Sequence, residues 1–185
     1  MAIELVYETH STTIDNETGI ATGWLDGLLS EQGRVQAAKL GQRRRDDGLT
    51  AVFISDLGRA IETADVAFAG SELPVHHDWR LRECNYGELN GAPVADIEAQ
   101  RATRIDEPFP NGESYRQVVE RTRSFLNDLF PELDGTRVLL IAHSANRWAL
   151  QHLLLGLPLE EVVRGPFDWQ EGWEYALPGE LPVQG

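Results

Sequence analysis

The stretch RVLLIAHSANRWALQHLLLG, Arg137 to Gly156, decides the fold class. After Arg137 its residues run unbroken through apolar and β-branched side chains to Ala142, the pattern of a strand buried on both faces. From Ser144 the apolar spacing turns helical, with Ser144 as the N-cap and Gly156 beyond the last turn. A buried strand feeding directly into a helix belongs to a mostly parallel sheet with helices on both faces, a three-layer α/β sandwich.

Outward from this stretch the alternation recurs. AIELVY and AVFIS, near residues 2 to 7 and 51 to 55, read as further buried strands, and LPVHHD, near 73 to 78, as a fourth. Helices are expected from Ser30 to a stop at Gly48, with Val35, Ala38 and Leu40 toward the core, and over LGRAIETADVAFAG, ending at Gly70. A third covers GESYRQVVERTRSFLNDLF, where Val118, Val119, Thr122, Phe125, Leu126 and Leu129 make the apolar face. No repeat, low-complexity run or linker interrupts residues 1–185, so one domain is expected, with LPGELPVQG as a loosely held tail. The aromatic segment FDWQEGWEYALPG should pack over the sheet edge, with Trp169 or Trp173 as candidates to border a pocket. The run Arg43 to Arg45 reads as the solvated end of a helix.

Composition narrows the function classes. The 185 residues are 42% hydrophobic and carry a formal charge of −14, with Lys39 the only lysine. Nucleic acid is excluded as a partner, because phosphate contacts need a basic surface. The first residues lack a basic region followed by an apolar core, and no apolar run reaches the roughly 20 residues that span a bilayer, so a soluble cytoplasmic protein without membrane attachment is expected. The single cysteine, Cys84, excludes an intramolecular disulfide framework and reads as a small buried residue. HHD at His76 to Asp78 reads as no metal site, since adjacent strand residues point to opposite faces.

In open sheets of this kind ligands bind at the carboxyl ends of the strands. Three such ends carry THSTT with His10, SDLGRA with Arg59, and AHSANR with His143. Two imidazoles and a guanidinium suit a phosphoryl group, since a neutral imidazole can attack phosphorus and arginine offers a fork of donors. From position alone, structural histidines are an equal alternative. Asn16, Thr22 and Gly23 could add donors, and a carboxylic acid at Glu83, its pKa raised beside a dianionic phosphate, could protonate a leaving oxygen. The alternative for Glu83 is an ion pair with Arg80 or Arg82.

These segments together resemble the histidine phosphatase superfamily, the group of the cofactor-dependent phosphoglycerate mutases and many small phosphatases. TGWLDGLLSEQG, SDLGRAIETA, LRECNYGELNG and IAHSANR are similar to its motifs and follow in the expected order. The resemblance implies that His10 is a nucleophile forming a phosphohistidine, that Arg59 and His143 bind the phosphoryl group with Asn16 assisting, and that Glu83 donates the proton. Thr22 and Gly23 fall where mutases bind ligand. Neither a metal nor another cofactor is implied, since arginine and imidazole supply the positive field.

The match fails at the first strand. Where the family has R-H-G, this chain has Thr9, His10 and Ser11, with Glu8 before them. Losing an arginine contact typically removes roughly 1.5–3 kcal/mol per hydrogen bond. Three accounts stand open: Arg147, one turn beyond His143 near Ser144, takes over; hydroxyls of Thr9, Ser11, Thr12 and Thr13 serve a less anionic substrate; or catalysis is lost and a binding pocket kept. Glu8 either acts in the site or faces away into an ion pair with a neighbouring arginine. The expected function is a phosphomonoesterase for a small phosphorylated metabolite, with an anion-binding protein or an acid–base isomerase or lyase as alternatives. Self-association as a homodimer is left open.

Overall fold

The computed structural model describes residues 2–179 and 181. Along the chain these run β1 (Ile3–Thr9), α1 (Ile14–Thr18), β2 (Ile20–Ala21), α2 (Glu31–Arg44), β3 (Ala51–Ile54), α3 (Gly58–Ala67) and β4 (Val75–His77). They continue through β5 (Ala92–Pro93), α4 (Val94–Arg101), α5 (Tyr115–Leu133), β6 (Arg137–Ala142), α6 (Ser144–Leu155), α7 (Leu159–Arg164) and β7 (Trp173–Leu177). The main sheet has the order β4-β3-β6-β1-β7. β4, β3, β6 and β1 are parallel and β7 pairs antiparallel with β1, so the chain adopts a mostly parallel α/β sandwich.

Alternation along the strands divides the apolar side chains between two cores. Leu5 and Tyr7 of β1, with Val138 and Leu140 of β6, meet α5 and α6 on one face. Val6, Val52, Ile54, Leu139 and Ile141 meet Leu40 of α2 and Ala64, Ala67 and Phe68 of α3 on the other. Full burial of side chains of this size contributes about 1.5–3 kcal/mol each, which is why the sheet is the rigid platform of the site. The apolar face expected for α5 is the buried one, from Val118 to Leu129. Gly156 closes α6 in the left-handed region at φ 68°, as its sequence position requires. Cys84 is buried.

Helix α2 departs from the expected face. Val35 is 57% exposed and Ala38 is exposed, whereas Gly33, Ala37, Leu40, Gly41 and Arg44 are buried. The helix docks through small residues: a Cβ at Gly33 would collide with the Thr12 carbonyl oxygen, and one at Gly41 with that of Ala67. Backbone contact on both sides leaves no room for a valine there, and the apolar Val35 turns outward. Arg43 to Arg45 is a solvated helix end only in part, since Arg45 is exposed and Arg43 half-buried. Arg44 is buried, and Arg45 Nε donates to the Ala67 carbonyl at 2.7 Å.

The expected strand at 73 to 78 shortens to β4, an exposed edge on which His76 stacks against Phe53. The aromatic C-terminal segment does reach the sheet edge, but as β7, a strand in the ladder rather than a loop laid over it. Of the expected tail, Glu180 and residues 182–185 lie outside the described residues. Helix α6 begins one residue earlier than expected: His143, not Ser144, is the N-cap, its N–H donating to Asn146 Oδ1 at 3.2 Å. Among the described residues no helix is long and apolar enough to cross a membrane.

Candidate active site

The parallel register carries three segments to one edge of the sheet. His10 N–H donates to the Ala142 carbonyl at 2.9 Å, extending the β1–β6 ladder, and Ser55 N–H donates to Ile141 at 3.1 Å beside it. His10 and His143 therefore face each other with ring centroids 5.0 Å apart. Arg59, in the first turn of α3, lies against them, its Nε 3.3 Å from His10 Nε2.

His10 Nδ1 is 2.8 Å from the Ser11 carbonyl, a contact that places the ring proton on Nδ1 and the lone pair on Nε2. Burial of the ring, and then the Arg59 cation, push its pKa down to about 3, so the imidazole is neutral at physiological pH. Ser11, where the family has glycine, is held by its own N–H donating to Thr63 Oγ1 at 3.0 Å. His143 is 0% exposed. Burial, then Arg59 and His10, hold its pKa well below the ordinary histidine value. The Tyr7 hydroxyl donates to its carbonyl, yet neither of its ring nitrogens has a hydrogen-bond partner among the described residues.

Glu83 is buried at the start of α6 and not paired with Arg80 or Arg82, which turn to Asp78 and Asp56. Its Oε1 accepts from Cys84 N–H at 2.8 Å and Ala145 N–H at 3.2 Å, and its Oε2 from Ser144 Oγ–H at 2.9 Å. The carboxylate thus takes up the helix N-terminal donor that the sequence had suggested for phosphate. Glu83, Ser144 and His10 border one cavity of about 710 Å³.

Other expected residues are placed differently. Arg59 spends most of its donors on the loop after β2: Nη1 reaches the Leu25 carbonyl at 2.7 Å and Nη2 that of Gly23 at 2.8 Å. Thr22 and Gly23 are accordingly absent from the cavity wall, and the Thr22 hydroxyl donates to Asp15 at 2.8 Å. Asn16 does border the cavity, although its Oδ1 caps α1 by accepting from Thr13 N–H at 3.0 Å. Arg147 does not fill the place of the missing arginine. Its guanidinium lies 5.0 Å from the Phe167 ring and 4.4 Å from that of Trp173, away from the cavity, because the aromatic segment before β7 provides faces that attract it.

Of three further features of the cavity wall, the sequence reading anticipated Glu8 and Trp169 but not the residues of α2 and α4. Glu8 is 2% exposed and alternates with Val6 on the α2 face, where Arg44 Nε donates to it at 2.9 Å and Arg43 Nη2 at 3.2 Å. It both borders the cavity and is ion-paired, so the two readings left open for it coexist. Lys39, Arg43 and Gln36 line the cavity from α2, and Arg101 at the end of α4 lines it from the other side, over the Trp148 ring at 5.1 Å. Trp169, 57% exposed, forms part of the rim, while Trp173 lies behind it under Arg147. The available signal for α2 was the small-residue spacing Gly33, Ala37, Gly41, which fixes the buried face and hence the outward one.

Among the described residues no group of three His, Cys, Asp or Glu side chains is placed to hold a metal ion. Comparison with known proteins agrees with the geometry. Residues 9–170 match the profile described as "Histidine phosphatase superfamily (branch 1)". A 2,3-bisphosphoglycerate-dependent phosphoglycerate mutase of Bifidobacterium longum is 31% identical over 89% of this chain and 82% of its own. A mycobacterial glucosyl-3-phosphoglycerate phosphatase superposes with TM-score 0.76 and 30% identity, covering 88% of this chain and 84% of its own. YhfR of Bacillus stearothermophilus superposes at 0.81 with 27% identity, over 92% and 88%. With the fold, the facing histidines and the ordered motifs all in agreement, the chain belongs to branch 1 of the histidine phosphatase superfamily.

Proposed function

We propose that the protein is a phosphomonoesterase that transfers the phosphoryl group of a small metabolite to His10 and then to water. The observation that carries this reading is the tautomer of His10: with Nδ1–H on the Ser11 carbonyl, Nε2 carries the lone pair and holds it toward Arg59, whose Nε–H donates to it at 3.3 Å until phosphorus takes its place. In the first step Nε2 bonds to phosphorus, the ester P–O bond breaks, and Glu83 delivers a proton to the leaving oxygen. Water then attacks the phosphohistidine, Glu83 takes its proton, and the P–N bond breaks. Arg59 and the single ring N–H of the neutral His143 do not line the cavity itself but lie directly beside His10, and they are the donors nearest the phosphoryl oxygens, since a buried polar group without a partner is one a ligand can satisfy. Hydrolysis is favoured over a mutase reaction because only α4 and its flanking turns lie between β5 and α5, and His10 stays partly exposed to water.

Phosphate release from a panel of phosphomonoesters tests the reading. The expected result is hydrolysis, with an acid-labile phosphohistidine trapped in the native protein and absent from His10→Ala. Activity surviving His10→Ala would overturn the nucleophile. One observation favours a second reading, an anion-binding member with weakened catalysis: the backbone carbonyls of Gly23, Leu25 and Asp26 occupy Arg59. Phosphate binding without turnover of any ester would support it.

A further inference from the structure

We infer that the outward face of α2 is a carboxylate subsite, where Lys39 and Arg43 hold a second acid group carried on the ring-bearing leaving group of the phosphomonoester; this rests on the phosphomonoesterase reading for the first group alone. Gln32, Gln36, Lys39 and Arg43 are spaced by four, three and four residues, so they form one stripe of the helix, and all four border the cavity that holds His10. In a chain of net charge −14 with a single lysine, that lysine is on this stripe. It has no ion pair among the described residues.

Arg43 has donors to spare. Only Nη2 bonds Glu8, at 3.2 and 3.3 Å; Nη1 is 3.6 Å from Glu171, beyond hydrogen-bond range; and Nε is buried without a partner. Glu8 does not depend on it, because Arg44 holds that carboxylate at 2.9 Å. Arg43 and Arg44 share Glu8, Asp47 and Glu171 between them, whereas Lys39 has no carboxylate against it among the described residues, and its single charge fits a monoanion such as a carboxylate better than a dianion. Glu8 precedes His10 by two residues, about 7 Å of extended chain, and its partner Arg43 borders the same cavity as His10, so a ligand in that cavity can meet both. A cavity of about 710 Å³ is far larger than a phosphoryl group needs, and the exposed Trp169 offers a flat face for the ring between the two anions.

Phenyl phosphate and 4-carboxyphenyl phosphate differ only in the second acid. Calorimetric titration of both into His10→Ala protein, which reads binding apart from turnover, should show the carboxylated ester bound about tenfold or more tightly. Lys39→Gln in that background should bring the ratio below about threefold, and Lys39→Arg should keep it. Lys39 is exposed, so its variants do not disturb folding. Equal affinities, or a preference surviving both Lys39→Gln and Arg43→Gln, overturns the subsite. If the wild-type protein releases phosphate from both esters while the affinities are equal, the subsite fails and the phosphomonoesterase stands. If the preference is present without phosphate release, the catalytic reading fails and the subsite stands. No binding of either ester overturns both.

Discussion

The ends of β1 and β6 lie side by side, each delivers a histidine, and they treat buried polarity in opposite ways. At the end of β1 the buried acid Glu8 is enclosed by two arginines of α2, and His10 has a partner on each nitrogen. At the end of β6 the fully buried His143 has partners on neither nitrogen, while Glu83 beside it takes up the helix N-terminal donor. Buried groups whose partners are complete hold structure together, and a buried group left incomplete is set to receive a ligand. The difference separates a scaffold, Glu8 with its arginines, from a receiving side at His143, and His10 stands between them, held at Nδ1 by the Ser11 carbonyl and touching Arg59 through Nε2, although sequence makes the two histidines look equivalent.

The largest test of that division falls on the receiving side. Glu83→Gln should lower kcat by about 10²–10⁴-fold with little change in urea stability, as expected for a proton donor. On the scaffold side the signs reverse. Glu8→Ala strips the carboxylate from the buried Arg44 and the half-buried Arg43 and should destabilise the fold by about 3 kcal/mol, the low end for breaking a buried pair, because Asp47 still holds Arg44 at 2.8 Å. Urea unfolding measures it, and a large kcat loss without a stability loss would move Glu8 to the receiving side.

Acid should weaken both ends at once. The folded-state pKa of His10 is about 3 and that of His143 is also depressed, so the unfolded chain binds protons that the folded one refuses. Their stabilising effect is complete above about pH 6.5 and is lost as the pH falls toward 3. His10 alone should remove about 2 kcal/mol by pH 5, above the range where carboxylates titrate. The urea midpoint across pH 7.5 to 5 reads this, and a flat profile would contradict the burial of the imidazoles. The smallest effect is expected for Thr9→Arg. With Arg59 and His143 already beside His10, restoring the family's arginine should change kcat/KM by less than about tenfold, whereas a larger gain would show that the missing cation limits the protein.

Legibility in the sequence followed the physics of each element. Strands β1, β3 and β6 and the buried face of α5 could be read because contiguous or periodic apolar residues carry them. The strand β7 was missed because it alternates on an antiparallel edge and interleaves Glu174 with aromatics, which reads as irregular packing. The face of α2 was misread because it docks by backbone contact at glycines, and hydropathy has no weight for the absence of a side chain. Within the site, residues tied to strand ends were foreseeable from topology. The pairing of Glu8 with Arg43 and Arg44, 35 and 36 positions away, and the diversion of Arg147 onto two rings are tertiary facts that local pattern does not encode.

The glycine seats of α2 also bear on mechanics. Gly33 rests on the Thr12 carbonyl two residues beyond His10, and Gly41 rests on α3, the helix that carries Arg59. Atoms already in contact transmit displacement without slack, so α2, the His10 loop and α3 translate as one body. Any tightening of the cavity around a bound ester must therefore come from a wall outside this body, the end of α4 where Arg101 lies over the Trp148 ring. A displacement reporter on that wall would register closure, while the distance between labels on α2 and α3 would stay fixed.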